Sequence, residues 1–160
     1  MAKVCLVSSA GGHLAEVLSA VGEILDEHEF FLCVTGFKTV RGMRLEGIRR
    51  IYEMPMLWRY QEPFGVLASL LVSLPMFVWI FLKERPDVLV TVGAEIAIPA
   101  FLVNRLLFRK RALFIESLTR IETPSATGGW MARLATRVLV QWPSLLAFYG
   151  SKAEYRGRMI

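Results

Sequence analysis

Four short stretches of this chain end apolar runs with small, polar or ionisable residues: SSAGGH (8–13), TVGAEIAIP (91–99), IESLTR (115–120) and VQWPS (140–144). Apolar runs need none of these residues for packing, which makes them candidates for chemistry. Gly11 and Gly12 open a helical pattern. Such a turn exposes backbone N–H groups that, aided by the helix dipole, can cradle phosphate. His13 stands at the same helix start. The partial positive charge there favours the neutral ring, and a neutral imidazole can take a proton from a hydroxyl. It can equally be a cap or a packing residue. Glu95 and Glu116 each end a strand-like run. Either can bind a sugar hydroxyl or act as a general base, and either can instead cap a helix or pair with Arg120. Arg120 suits a phosphate contact or an ordinary salt bridge. His28, in LDEHEF, closes the first helical run and reads as solvated.

The glycine spacing is GGH, not GxGxxG, and no P-loop lysine follows, so dinucleotide or ATP binding is unsupported. Two histidines and two cysteines show no metal-ligand spacing, so neither a metal nor a cofactor is expected. Cys5 and Cys33 lie in apolar runs and read as buried, unpaired thiols of a reducing compartment.

The elements that must position these residues follow from periodicity. Strands are expected at 3–9, 29–36, 50–55, 87–93, 112–117 and 137–142, with helices at 13–28, near 96–108 and near 128–136. Residues 37–50 are polar and basic and read as loop with some helix. Alternation of apolar strands and helices implies right-handed crossovers and a parallel sheet covered on both faces. The fold class is therefore α/β, a Rossmann-like domain of about six strands, with all 160 residues expected to form one domain. Sheets of this kind place ligands outside the carboxyl ends of their strands, where the four stretches lie.

The chain is 54% hydrophobic yet carries a net charge of +5, and its mean hydropathy is +0.46. Nucleic acid would explain the charge alone, and no nucleic-acid partner is expected; an anionic membrane surface explains both properties. Residues 64–82, FGVLASLLVSLPMFVWIFL, contain no charge and are long enough to span a bilayer. Strands of one sheet on either side argue against spanning, and a helix lying in the interface is expected. Trp58, Phe64, Leu70, Leu71 and Phe77 are its expected lipid-facing residues, together with Trp79, Phe81 and the flanking Lys83 and Arg85. FLVNRLLFRKR (101–111) fits either a half-covered helix or an extension of that surface.

VSSAGGHLAEVL, TVGAEIAIPAFL, FIESLTRIETPSATG and VLVQWPSL with AEYRGRM resemble, in the same order, a family of two-subunit glycosyltransferases. The family comprises the membrane-anchor subunit of the eukaryotic dolichyl-diphosphate N-acetylglucosaminyl transferase and bacterial and archaeal counterparts in exopolysaccharide and capsule synthesis. The resemblance implies the N-terminal half of a GT-B enzyme split across two chains. This half would bind a polyprenyl-diphosphate-linked sugar acceptor at the cytoplasmic membrane face. A partner subunit would bind the UDP-sugar, and the reaction would invert the anomeric centre without a metal-binding DxD. The implied base is His13, with Glu116 as the alternative. Ser9, Gly11, Gly12, Gly93, Glu95, Ser117 and Arg120 form the implied acceptor and diphosphate set. Eukaryotic members carry an N-terminal membrane anchor, whereas here a strand begins at residue 3, so attachment is expected from residues 64–82 or from the partner. A non-catalytic anchor that activates its partner is the alternative role.

Overall fold

The computed structural model describes residues 1–36, 45–55 and 63–159, except the side chains of 63–67 and 69. Its strands are β1 (Lys3–Ser9), β2 (Glu29–Thr35), β3 (Ile48–Met54), β4 (Val88–Thr91), β5 (Arg111–Ile115), β6 (Arg137–Val140) and β7 (Ala153–Tyr155). The helices are α1 (Gly12–Val21), α2 (Pro63–Glu84), α3 (Ala97–Val103), α4 (Gly128–Leu134) and α5 (Leu146–Tyr149). The strands form one sheet in the order β3-β2-β1-β4-β5-β6-β7, and every neighbouring pair is parallel.

Among the described residues the sheet has one strand more than expected. β7 is only three residues long, too short for any period to show, and it exists because β6 offers it an edge. α1 stops at Val21, where Gly22 turns the chain into a single 3-10 turn. The basic stretch at 37–44 lies outside the described residues.

Alternation along the strands sends side chains to two cores. Val4, Leu6, Phe30, Leu32 and Val34 meet Leu14, Val17 and Val21 of α1. Cys5, Val7, Phe31, Cys33, Leu89, Phe114 and Val138 meet α2, α3 and α4 on the other face. Both cysteines are buried and free, as their apolar settings imply. Burial pushes the Cys5 thiol well above its ordinary value.

α2 is apolar on all sides, so its sequence does not say which face turns inward. Ser73, Phe77, Ile80, Phe81 and Glu84 share one stripe and are buried. Full burial of a phenylalanine contributes about 1.5–3 kcal/mol, which is enough to set the rotation. Phe77 and Phe81 are therefore core residues, not lipid-facing ones. The helix runs unbroken through Pro75 and ends where Arg85 adopts a left-handed φ of 52°.

Glu84 pins that end of α2. It receives Lys3 Nζ at 2.7 Å and Arg50 Nη1 at 2.7 Å, and the Tyr52 hydroxyl also donates to it. Burial opposes ionisation here, but Lys3, Tyr52 and Arg50 outweigh it and hold the carboxyl at about 2. The Tyr52 phenol is pushed up to about 12, by burial and then by the neighbouring carboxylate.

Candidate functional site

After β1 the chain runs out to β2 and β3, then returns to place β4 on the other side of β1. The order thus reverses between β1 and β4, and a crevice opens at their carboxyl ends. The pairing of Val7 with Thr91, Thr91 with Phe114, and Ile115 with Leu139 sets the four polar strand ends side by side.

The first wall is the turn into α1. Gly11 has φ 99° and is the N-cap residue. Among the described residues no side chain accepts from the first-turn N–H groups, and no acidic residue stands in that turn. Gly12 is different from Gly11. Its backbone is helical, and a Cβ added there would meet nothing within 4 Å among the described residues. Neither conformation nor packing requires glycine at 12, so the missing side chain leaves room on the open side of the turn. His13 follows, half-buried, with Nδ1 3.1 Å from Ser9 Oγ. When Nδ1–H donates to Ser9, Nε2 is left as the proton acceptor.

The second wall is the β4 turn. Thr91 donates to the Val7 carbonyl at 2.7 Å and accepts the Gly93 N–H at 3.1 Å. Gly93 needs its glycine twice over: φ is 104°, and a Cβ would lie 3.1 Å from Phe114 and 3.2 Å from Thr127. Thr127 donates to the Gly93 carbonyl at 2.8 Å, tying this turn to the loop after β5. Glu95 is half-buried and forms no ion pair among the described residues.

The loop after β5 is organised around Glu116, which is completely buried. Oε1 accepts the Ser117 N–H at 3.0 Å. Oε2 accepts the Ser125 N–H at 3.1 Å, the Ser125 hydroxyl at 3.3 Å, and the Tyr149 hydroxyl. Gln141 Nε2 donates to the Glu116 carbonyl at 3.0 Å. Burial, and next the adjacent carboxylate, push the Tyr149 phenol far above its ordinary value, an effect partly offset by Ser125 and Arg120. Gly128 permits this packing, because a Cβ there would collide with the Tyr149 hydroxyl. Glu116 was the alternative base. With both oxygens engaged and no solvent contact, it is instead placed to hold the loop. Arg120 stands exposed on that loop.

Two groups of residues had escaped notice. Glu16, one turn after His13, accepts the Ser117 hydroxyl at 3.0 Å; the i, i+3 spacing from His13 is its sequence signal. Ser125 and Tyr149 reach Glu116 from 9 and 33 residues away, which no local pattern announces.

Away from the crevice, Leu71 and Trp79 of α2 are exposed, and Leu70 is half-buried. Leu82 adds to them at 62% exposure, and Leu106 and Leu107, each at 63%, lie in the wide turn after α3. That turn packs on α2 through Phe108 and Phe81, ring centroids 5.5 Å apart. Lys83 Nζ sits 4.6 Å over the Trp79 ring, and Arg85, Arg105, Arg109, Lys110 and Arg111 are exposed nearby in the chain. Trp58 and the Phe64 side chain lie outside the described residues. Among the described residues, no helix is long and apolar enough to cross a membrane.

The architecture is similar to that of Acinetobacter baumannii MurG, with TM-score 0.73, 17% identity, and coverage of 99% of this chain and 45% of that one. It is also similar to UDP-GlcNAc 2-epimerase from Neisseria meningitidis, with TM-score 0.73, 14% identity, and coverage of 98% and 47%. The chain thus spans about half the length of these solved structures, and the likeness is one of fold: a half of the GT-B type. In sequence it is similar to the UDP-N-acetylglucosamine transferase subunit ALG14 of Yarrowia lipolytica, 27% identical over 99% of this chain and 81% of the relative. The human subunit of that name is 26% identical over 98% and 82%. The family described as oligosaccharide biosynthesis protein Alg14 like matches residues 45–159. With most of its length inside that match, the chain belongs to the family of Alg14-like oligosaccharide biosynthesis proteins.

Proposed function

We propose that this chain is the acceptor-binding subunit of an inverting, UDP-sugar-dependent glycosyltransferase, active together with a separate donor-binding subunit. The relatives named as UDP-N-acetylglucosamine transferase subunits support the reaction class and the need for a partner. The observation that carries the assignment is the uncapped Gly11–Gly12 turn, with open space at both glycines and His13 beside it.

The acceptor's diphosphate lies against the N–H groups of that turn, with Arg120 as a charge partner, while Glu95 and Ser117 offer hydrogen bonds to its sugar. Ser9 fixes the His13 ring so that Nε2 faces the acceptor hydroxyl. That hydroxyl oxygen attacks the anomeric carbon of the UDP-sugar from the face opposite UDP. The new C–O bond forms as the bond to the β-phosphate oxygen breaks, and the proton passes to Nε2. UDP leaves with the electron pair, and the configuration inverts. Glu116 and Tyr149 act at a distance by holding the loop that carries Ser117 and Arg120.

The chain works at the cytoplasmic face of the membrane as a peripheral protein. Leu71, Trp79, Leu82, Leu106 and Leu107 support this, because exposed apolar side chains edged by bases favour an anionic lipid surface. The lipid tail of the acceptor then stays in the bilayer while its head group reaches the crevice.

The deciding experiment is turnover of a polyprenyl-diphosphate-linked sugar by the reconstituted pair. A general base contributes about 10²–10⁴-fold, so His13→Ala should lower kcat by that order with assembly intact. Undiminished turnover would exclude His13 as the base and leave an anchoring and activating role.

A further inference from the structure

His13 and Glu16 lie three residues apart in α1, so their side chains share one face of the helix. Glu16 Oε1 accepts the Ser117 hydroxyl at 3.0 Å. Its second oxygen, Oε2, is shut off from solvent and has no hydrogen-bond partner among the described residues. Leaving a buried carboxylate oxygen without a donor is costly, and such groups in native proteins call for an explanation, an absent ligand among them.

The neighbouring hydroxyls do not supply the missing donor. Ser117 has a single hydroxyl proton, which goes to Glu16 Oε1, and Thr119 Oγ1 lies 3.0 Å from the same Ser117 oxygen. Ser9 Oγ lies 3.1 Å from His13 Nδ1 and makes no hydrogen bond to Glu16 Oε2. Thr119, whose hydroxyl lies 3.0 Å from Ser117 Oγ, begins a run of exposed residues that continues to Thr123, so the cluster lies next to the surface of this loop.

We infer that Glu16 Oε2 accepts a hydrogen bond from the sugar of the acceptor, from a hydroxyl or amide N–H beside the reacting hydroxyl. Glu16 is then a specificity-determining residue. This assignment rests on the acceptor-site function proposed above and adds a recognition point to it. A carboxylate can serve Ser117 and the sugar at once, one with each oxygen. A glutamine in its place has one acceptor oxygen and must abandon one of the two.

The test uses the reconstituted pair, with initial rates measured while acceptor and UDP-sugar are varied separately. Glu16→Gln should raise the acceptor KM about ten-fold, with the donor KM and kcat within about two-fold of wild type, the pattern of lost binding to one substrate. An acceptor KM within two-fold of wild type, or an equal rise in both KM values, overturns the inference. Should Glu16→Gln melt well below wild type, Glu16→Asp applies the same criterion, because it keeps the charge but withdraws it by one methylene. His13→Ala run alongside separates the two levels. Loss of turnover there with normal Glu16→Gln kinetics rejects only the role of Glu16, whereas full turnover there rejects the function on which it rests.

Discussion

The Tyr149 hydroxyl donates to the Glu116 carboxylate inside the protein, directly over Gly128. The contact joins α5 to the loop after β5, and Ser117 and Ser125 supply the carboxylate's other described donors. A hydrogen bond to a buried charge is worth about 1.5–3 kcal/mol. Tyr149→Phe should therefore lower unfolding free energy by about 2 kcal/mol, read as a shift of the urea midpoint at unchanged slope. Gly128→Ala should cost at least as much, because its Cβ collides with the Tyr149 hydroxyl and crowds Glu116 Oε2. Equal midpoints for all three proteins would mean that the cluster adds nothing to stability.

Gly11 and Gly12 should separate under substitution. Gly11→Ala forces an L-residue to φ 99° and should destabilise by about 1–3 kcal/mol. Gly12→Ala places a methyl in open space at a helical position and should be neutral or stabilising by up to about 1 kcal/mol. Its acceptor KM should nevertheless rise at least ten-fold, because the methyl occupies the approach to the turn. Melting temperatures and acceptor titrations on both variants check this. An unchanged acceptor KM in Gly12→Ala would remove the turn from the binding site.

Glu84 predicts an acid-sensitive joint between α2 and the sheet. Its folded value of about 2 lies below the ordinary 4.5. The stabilisation is therefore complete above about pH 4.5 and is lost as pH falls toward 2. The shift corresponds to roughly 3 kcal/mol. Glu84→Gln should be less stable than wild type by about that amount at pH 7, with the gap closing between pH 4.5 and 2. A gap that stays constant over this range would show that the charge of Glu84 is not what matters.

Leu82 and Leu106 are exposed, so Leu82→Glu and Leu106→Glu should leave the melting temperature within about 2 °C. Each withdraws about 1.5–3 kcal/mol of available apolar burial and adds a negative charge. Co-sedimentation with vesicles of anionic phospholipid should fall about ten-fold or more for each. Raising the salt concentration should weaken wild-type binding only in part, since the apolar contribution is not screened. Binding that survives both substitutions would move the membrane contact elsewhere.

What the sequence by itself determined is the part that depends on near neighbours. The β1 run, the turn at Gly11 and Gly12, and His13 beside Ser9 all fall within eleven residues. Regular alternation of apolar strands and helices was enough to imply a parallel sheet, because crossovers leave few other arrangements. Its polar strand ends singled out the edge at which the site is proposed. Tertiary structure alone decided three things. α2 is apolar on every side, so only packing against the sheet and α3 could turn Phe77 and Phe81 inward and leave Leu71, Trp79 and Leu82 outside. β7 has three residues and no signature of its own; the free edge of β6 made it a strand. By sequence Glu116 could be a base, a sugar ligand or a cap and Glu16 carried no reading, and their surroundings were set only when Tyr149 and Ser117 arrived from 33 and 101 residues away. A carboxylate's task depends on which donors surround it and how much water is excluded, and neither is a local property of the chain.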